Sequence, residues 1–381
     1  MAERGHKYLV ITELFLPTKG GTAVWFAEVF RRLGGKGIHI VTADVSGAEE
    51  VDAEHPNTIH RLNLNRVWWL RPESLGMYAR LFFKSLWLSL TNNFEAIHAI
   101  RSLPEGLVSW AVARLTFREV IVYNHGEELT TWGDGAKFKA MCFTNNHADR
   151  VVANSDYTKD QLLRLGVDPG KITIIYPGVD VDRFKKGLPC KDLRANLCLE
   201  EDTKIVLSVG RLSRRKGFDT VIASLPELLG SGMKVHYVLI GVGEDHDYLS
   251  KLAHKLNVAD HVHLMGHVSP EDLPRWYNLC DVFVMPNREI NGDTEGFGMV
   301  YLEAAACGKP SIAGREGGTG AAVIDGITGV CVDGELTGEV SAAIGRLLND
   351  CEYARRLGGQ GYNRARAEFS WDAVASKTRK I

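Results

Sequence analysis

The segment Gly210-Arg211-Leu212-Ser213-Arg214-Arg215-Lys216-Gly217 sets two cations, Arg211 and Lys216, five residues apart inside a turn bounded by glycines. Cations held this way clamp a diphosphate and stabilise the negative charge that develops as it leaves. The plainer alternative is a basic, solvated turn. A second segment runs Asp293-Thr294-Glu295-Gly296-Phe297-Gly298-Met299-Val300-Tyr301-Leu302-Glu303. Gly296 and Gly298 flank Phe297 just ahead of an apolar helix expected over Met299–Cys307. Glycine admits close backbone approach, and a helix N-terminus offers free N–H groups to an anion. Glu295 precedes this helix, and Glu303 lies about a turn and a half inside it. Two carboxylates so placed do not share one glycosidic bond as an acid–base pair. They read as two anchors on one long ligand, or more blandly as surface glutamates on a capped helix. Val300, Leu302 and Ala304–Ala306 surround Glu303 with apolar residues, a setting that surface glutamates seldom have.

The first half of the chain carries fewer such residues. Pro17-Thr18-Lys19-Gly20-Gly21-Thr22 follows an apolar run and opens a helix, so Gly20 and Gly21 let the backbone approach a phosphate or a sugar. The spacing is not G-x-G-x-x-G, which argues against a dinucleotide site. His125, in Tyr123-Asn124-His125-Gly126-Glu127, ends another apolar run and is a candidate site residue, although a lone histidine is often structural. Asn154-Ser155 reads first as a helix cap.

These residues need a frame. Thirteen short Val/Ile/Leu-rich runs alternate with helical segments: Tyr8–Leu14, Ile38–Asp44, Ile59–Leu64, Ala96–Ile100, Glu119–Asn124, Arg150–Asn154 and Ile172–Tyr176, then Lys204–Val209, Lys234–Ile240, His261–Met265, Asp281–Met285, Pro310–Ala313 and Gly329–Val332. Continuous apolar runs mark strands buried on both faces, and repeated strand–helix alternation means a doubly wound parallel α/β sheet. Helices are expected at Val24–Leu33, Asp160–Leu165, Thr220–Leu229 and Asp247–Leu256. A polar, basic stretch with Lys185, Lys186, Gly187 and Pro189 separates the two series. The expected domains are therefore residues 1–185 and 190–367. In each, a ligand would sit beyond the carboxyl ends of the strands.

The chain has 381 residues, which suits two domains rather than one core. Charged residues make up 24%, hydrophobic residues 45%, and the formal net charge is −2, a soluble enzyme's balance with no global attraction to nucleic acid. The seven cysteines form no C-x-x-C pair, which favours a reduced, cytoplasmic setting and no zinc site. The apolar N-terminal run is broken by Glu13 and Pro17 and reads as a buried strand rather than a signal segment. Nothing approaches the run of about 18 apolar residues that spans a membrane.

Glu295 and Glu303, separated by seven residues within E-G-F-G-M-V-Y-L-E-A, together with G-R-L-S-R-R-K-G upstream and G-K-P-S-I-A-G downstream, resemble the large retaining glycosyltransferase family 4. The resemblance runs from Leu9 to Trp371. It implies the GT-B fold, two Rossmann-like doubly wound parallel-sheet domains facing across a cleft. The segment Phe369-Ser370-Trp371 resembles the start of the family's C-terminal helix, so residues 368–381 are expected to return to the first domain. The resemblance also implies roles. Arg211 and Lys216, with Gly210 at the turn, would hold the donor diphosphate, and Glu303 the ribose hydroxyls. Glu295 would bind the transferred sugar, with the N–H groups of Phe297 and Gly298, next to Gly296, facing sugar and phosphates. Gly266-His267-Val268 would meet the base through His267 and Val268. Gly20, Gly21 and His125 would lie near donor phosphate and sugar. The family often has Pro-Glu after the paired glycines, whereas here Thr319-Gly320-Ala321-Ala322 follows Gly317-Gly318. The stretch Arg288-Glu289-Ile290-Asn291-Gly292-Asp293 resembles the bacterial phosphatidylinositol mannosyltransferase subgroup and suggests GDP-mannose as donor.

The implied reaction is transfer of a hexose with retention, without a metal or other cofactor, to a lipid-linked or carbohydrate acceptor. The alternatives are a nucleotide-sugar epimerase of the same fold and a catalytically silent sugar-nucleotide sensor. Residues 61–91 add a separate signal. Arg61, Arg66, Arg71, Arg80 and Lys84 accompany Trp68, Trp69, Tyr78, Phe82, Phe83 and Trp87, opposed only by Glu73. Basic and aromatic side chains together suit an anionic membrane surface, hence peripheral attachment at the inner face of the cytoplasmic membrane. The alternative is a core-packed helix with snorkelling cations.

Overall fold

The computed structural model describes residues 6–18, 20–66, 73–131 and 133–381. They form two compact units, one closing at Pro177 and completed by Trp371–Ile381, the other spanning Gly178–Ser370. In the first unit β1 (Tyr8–Ile11), β2 (His39–Ala43), β3 (Thr58–Leu62), β4 (Ala96–Ala99), β5 (Glu119–Asn124), β6 (Arg150–Ala153) and β7 (Ile172–Ile174) form one parallel sheet in the order β3-β2-β1-β4-β5-β6-β7. In the second, β8 (Lys204–Val209), β9 (Val235–Ile240), β10 (Val262–Gly266), β11 (Val282–Met285), β12 (Ser311–Gly314) and β13 (Gly329–Val332) are parallel in the order β10-β9-β8-β11-β12-β13. The central strands β1, β4 and β11 are buried along their whole length, as continuous apolar runs require between two helical layers.

Each sheet reverses its winding direction once. The chain leaves β1 toward β2 and later enters β4 on the other side of β1, and it leaves β8 toward β9 and later enters β11 on the other side of β8. The loops beyond the carboxyl ends diverge at such a point and leave a crevice.

The helices expected at Thr220–Leu229 and Asp247–Leu256 are Phe218–Gly230 and His246–Lys255, and three others are corrected for reasons the residues show. The first helix is Gly21–Phe30, not Val24–Leu33, because the apolar stripe of Trp25, Phe26 and Phe30 is preceded by a turn that Gly20, at φ +143°, opens three residues earlier. The helix expected from Asp160 begins at Asp156, where Ser155 Oγ accepts the Thr158 N–H at 3.2 Å. The helix carrying Glu303 is Met299–Ala306, with Cys307 past its last turn. The final helix, Trp371–Thr378, belongs to the first unit, where Arg32 Nε donates to Asp372 Oδ1 at 2.8 Å.

Candidate active site

The second unit places its candidate residues around the β8/β11 crevice. The loop after β8 must pass close under the loop after β11. Gly217 sits at φ +72°, and a β-carbon there would collide with the Pro286 carbonyl. The Arg288 N–H then donates to the Arg215 carbonyl at 2.8 Å and ties the two loops together. This brings Lys216 onto Glu295, their side chains forming a close ion pair. Arg215 joins them, with Nη1 at 3.0 Å from Glu295 Oε2 and Nε at 3.2 Å from Asp293 Oδ2. Burial works to raise the Glu295 carboxyl, but the Lys216 ammonium and the Arg215 guanidinium outweigh it and hold the group below its usual range. No local pattern distinguishes Arg215 from its basic neighbours, because its partners lie about 80 residues away in the chain.

The backbone around Glu295 is equally constrained. Gly318 N–H donates to the Glu295 carbonyl at 2.7 Å, and a β-carbon on Gly317 would strike that carbonyl and the Thr294 hydroxyl. The Thr319-Gly320-Ala321-Ala322 stretch after these glycines forms a short helix. Gly298, at φ +87°, lets the chain enter the helix Met299–Ala306 over the Tyr301 ring. Tyr301 OH donates within a buried group, 2.5 Å from the Met285 carbonyl and 2.8 Å from Asn287 Oδ1. The helix has no side-chain cap and no acidic residue in its first turn, so its leading N–H groups keep their capacity for an anion.

Not every expected residue joins this cluster. Arg211 is turned outward, its side chain 75% exposed, and pairs with Glu244 at 3.1 Å. Arg288 is spent on structure, with Nη2 at 2.8 Å from Asp219 and Nη1 at 2.8 Å from Thr220 Oγ1. His267 and Val268 follow β10, whose Gly266 carbonyl accepts the Gly241 N–H at 2.8 Å. The turns after β8, β9 and β10 are thereby stitched side by side, since the Leu212 N–H also donates to Val242 O at 3.1 Å.

Glu303 stands apart from that ion-paired group. Its Oε2 accepts from Tyr277 OH at 2.7 Å, a partner from the helix Leu273–Leu279. Burial pushes its carboxyl up to about 7, against the partial opposition of the Tyr277 bond and the Arg183 charge. A half-protonated carboxyl with one neutral donor is suited to hydroxyl groups rather than to a cation.

In the first unit, Gly20 and Gly21 begin the helix Gly21–Phe30; Lys19 between the strand and these glycines lies outside the described residues. His125 follows β5. Its Nε2–H donates to the Ile100 carbonyl at 2.9 Å, which leaves Nδ1 as an acceptor. Its ring meets Trp25 edge-on at 5.6 Å, and burial drives it down to about 4, so it is neutral at ordinary pH. Glu128 Oε1 accepts the His125 N–H at 2.7 Å, and Asn154 Nδ2 donates to the His125 carbonyl at 2.9 Å, so the histidine is held from both sides.

Part of the expected interfacial set is corrected. Arg61 is mostly buried, bonded to Asp52 at 2.7 Å, to the Leu16 carbonyl at 2.6 Å and to the Ala43 carbonyl at 3.0 Å; it braces the ends of strands and is no surface cation. Trp68, Trp69 and Arg71 lie outside the described residues. On the helix Leu75–Thr91, Phe83, Trp87 and Leu90 share one exposed face, and the Lys84 ammonium lies 4.7 Å from the Trp87 ring centre. Among the described residues no helix is long and apolar enough to cross a membrane, and no three His, Cys, Asp or Glu side chains are grouped to hold a metal ion.

Known proteins resemble this chain in sequence and in fold. Residues 19–183 match the family model "Glycosyltransferase Family 4", and residues 191–364 match "Glycosyl transferases group 1". The GDP-mannose-dependent alpha-(1-6)-phosphatidylinositol monomannoside mannosyltransferase of Mycobacterium tuberculosis is 30% identical over 408 aligned positions, which cover 97% of this chain and 96% of that protein. D-inositol 3-phosphate glycosyltransferase 2 of Catenulispora acidiphila is 34% identical over 245 positions, 61% of this chain and 56% of its own length. Among solved structures, Anabaena HepE in complex with UDP and glucose superposes with a TM-score of 0.82 at 18% identity, over 98% of each chain. Sucrose-phosphate synthase from Thermosynechococcus elongatus reaches 0.81 at 23% identity, again over 98% of each. At such identities the likeness carries the fold alone.

Proposed function

The chain belongs to glycosyltransferase family 4 and is a hexosyltransferase of the GT-B fold, and from that premise we propose that it transfers mannose from GDP-mannose, with retention, to a lipid-linked or glycan acceptor. The observation that carries this reading is the convergence of Lys216 and Arg215 on Glu295 beside the uncapped N-terminus of Met299–Ala306. In this reading the acceptor hydroxyl attacks the anomeric carbon on the face from which the diphosphate leaves. The bond from carbon to phosphate oxygen breaks, and that oxygen takes the hydroxyl proton. Lys216 and the helix N-terminus carry the positive charge that stabilises the departing diphosphate, and Arg211 adds to it on leaving Glu244, so no divalent metal is called on. Glu295, with Gly296, Phe297 and Gly298, holds the sugar, Glu303 the ribose hydroxyls, and His267 and Val268 the base. Gly210 allows the turn. GDP-mannose is favoured because the mycobacterial relative named for that donor is similar over nearly its whole length.

The lipid side of the reading rests on the helix Leu75–Thr91. Phe83, Trp87 and Leu90 present an apolar strip, and Arg80 and Lys84 lie on the same helix to meet anionic headgroups.

Thermal stabilisation against GDP-mannose, UDP-glucose, UDP-N-acetylglucosamine and the bare diphosphates tests the donor, since a ligand of the folded state raises the midpoint. A selective shift with GDP-mannose is expected; a shift confined to the uridine compounds overturns that choice. Proton NMR of the product then reads the anomeric configuration, and an inverted product overturns retention. A 2-epimer of the donor, formed without any acceptor, would instead indicate an epimerase.

A further inference from the structure

The proposed reaction sets Lys216 two tasks. In the free protein its ammonium is paired with Glu295 and, among the described residues, meets no other acceptor. A cation engaged by a carboxylate meets a phosphate at less than full strength, so Lys216 has to leave Glu295 when the diphosphate departs. Glu295 is in no position to follow. Its carbonyl accepts the Gly318 N–H at 2.7 Å, and its Cγ lies 3.5 Å from where a β-carbon on Gly298 would sit. Its side chain is 13% exposed. Once Lys216 turned away, a buried carboxylate would remain, which is costly unless another cation compensates it.

A second cation is already there. Arg215 Nη1 donates to the same oxygen, Glu295 Oε2, at 3.0 Å. The two cations differ in how they are held. Arg215 is fixed along its whole length: its carbonyl accepts the Arg288 N–H at 2.8 Å, and its Nε lies 3.2 Å from Asp293 Oδ2. Both anchors are themselves rigid. Arg288 Nη2 is bonded to Asp219 Oδ2 at 2.8 Å. Ile290 and Asp293 exchange N–H···O bonds of 2.9 Å around Asn291, at φ +52°, and Gly292, at φ +81°, the left-handed pair that a two-residue hairpin turn requires. Lys216 instead reaches Glu295 through a flexible four-carbon stem with a rotatable head. One cation is built to stay and the other to move.

We propose that Arg215 is a positioning residue that remains on Glu295 as its standing counter-charge and thereby releases Lys216 to the donor diphosphate. This role rests on the donor reading above, which leaves Arg215 without a task. It also gives Asp293 one. A guanidinium with carboxylates at both Nε and Nη1 would give up two bonds to reach a phosphate, so Asp293 keeps Arg215 from moving in place of Lys216. Without Arg215, Asp293 and Glu295 would both draw on the Lys216 ammonium and retain it.

GDP is titrated by calorimetry into the 381-residue chain and its variants. Arg215→Gln is expected to weaken GDP binding at least about tenfold, because Lys216 is then retained by Glu295. Arg215→Lys, which restores the charge without the planar fork, is expected to recover part of that loss. In the Glu295→Gln background the carboxylate that retains Lys216 is gone, and there the same Arg215→Gln substitution is expected to change GDP affinity less than about twofold. A direct contact of Arg215 with the diphosphate, or a general structural role, predicts the same loss in both backgrounds, and that result overturns the proposal. So does unchanged GDP affinity in a folded Arg215→Gln. In wild-type protein with 15N-labelled lysine and arginine, saturating GDP is expected to move the Lys216 Nζ signal and to leave the Arg215 Nε signal in place, a readout independent of how the variants fold. A Lys216 signal indifferent to bound GDP, or an Arg215 signal that moves in its stead, overturns the hand-over alone. No GDP binding to wild type defeats the donor reading and the hand-over together, so the two failures are distinguishable.

Discussion

The crevice after β8 and β11 and the crevice after β1 and β4 occupy the same place in two parallel sheets, yet their titratable groups are held in opposite states. In the second unit Glu295 touches two cations, and its carboxyl is kept ionised in spite of burial. In the first unit burial prevails. Glu105 and Glu128 are raised, and His125 falls to about 4. The difference lies in contact. Glu295 has both cations within hydrogen-bonding reach, whereas Arg101 stays 3.6 Å from Glu105 and recovers less than desolvation costs. A site whose charges are paired and pre-aimed suits a charged ligand, such as a diphosphate. A site whose groups are driven toward neutrality suits hydroxyls. Glu303 marks the boundary, since it belongs to the charged unit but is raised to about 7, consistent with a ribose rather than a phosphate as its partner.

The comparison breaks most readily at Lys216. Lys216→Ala removes one of the cations on Glu295 and is expected to lower the rate of transfer about 100- to 1,000-fold, the scale seen when one preorganised transition-state contact is lost. Wild-type turnover in this variant, in a steady-state assay of GDP release, removes Lys216 from the mechanism. Glu303→Ala comes next. The loss of a charge-assisted bond to the ribose is expected to weaken donor binding about 10- to 100-fold by calorimetry, with the unfolding midpoint little changed. Unchanged affinity in the folded variant sinks the ribose assignment.

The pH dependence sharpens the contrast. In the proposed reading, ribose hydroxyls donating to Glu303 would favour its charged form, and donor binding would release a proton from a group that burial raises to about 7. GDP-mannose affinity is expected to be flat above that pH and to weaken about tenfold per unit below it, and Glu303→Gln should abolish the slope. Acid stability should separate the units too. In the first unit His60, His98 and His125 are lowered by burial to about 4, 3 and 4, while in the second His236 alone is brought as low, to about 4. A histidine buried neutral contributes stability that is complete above its unfolded value of about 6.5 and is lost as pH falls toward the folded value. For the fully buried His98 the slope is about 1.4 kcal/mol per pH unit. Hydrogen exchange between pH 6.5 and 4.5 is therefore expected to show the first unit opening before the second; simultaneous opening would contradict this ordering. The smallest effect is expected at the surface. Trp87→Ser should leave the unfolding midpoint unchanged and reduce sedimentation with anionic vesicles severalfold, and equal sedimentation of the two proteins would remove Trp87 from any membrane contact.

The sequence is informative wherever a local rule operates. Buried parallel strands must be apolar on both faces, and every one of the thirteen runs holds a strand, three with the expected ends and the rest with ends shifted by a residue or a few. Glycines that permit a positive φ or a close approach, such as Gly217 and Gly298, mark the turns of the second unit by residue type alone. Helix starts are less legible, because an apolar stripe does not reveal the cap in front of it, as at Gly20 and Ser155.

What the sequence determined by itself was the set of strands, the doubly wound class and the spacing of Glu295 and Glu303 along one helix entry. All of these depend on neighbours within a few residues. Which charge meets which was decided only by the tertiary structure. Arg215 finds Glu295 across 80 residues, and the Glu13 N–H finds Glu105 across 92. Arg211 and Lys216, equivalent as cations in one turn, are turned respectively toward solvent and toward Glu295. A side chain's ionisation depends on burial and on contact distance, and both arise only when the strand order brings distant loops together at the switch points.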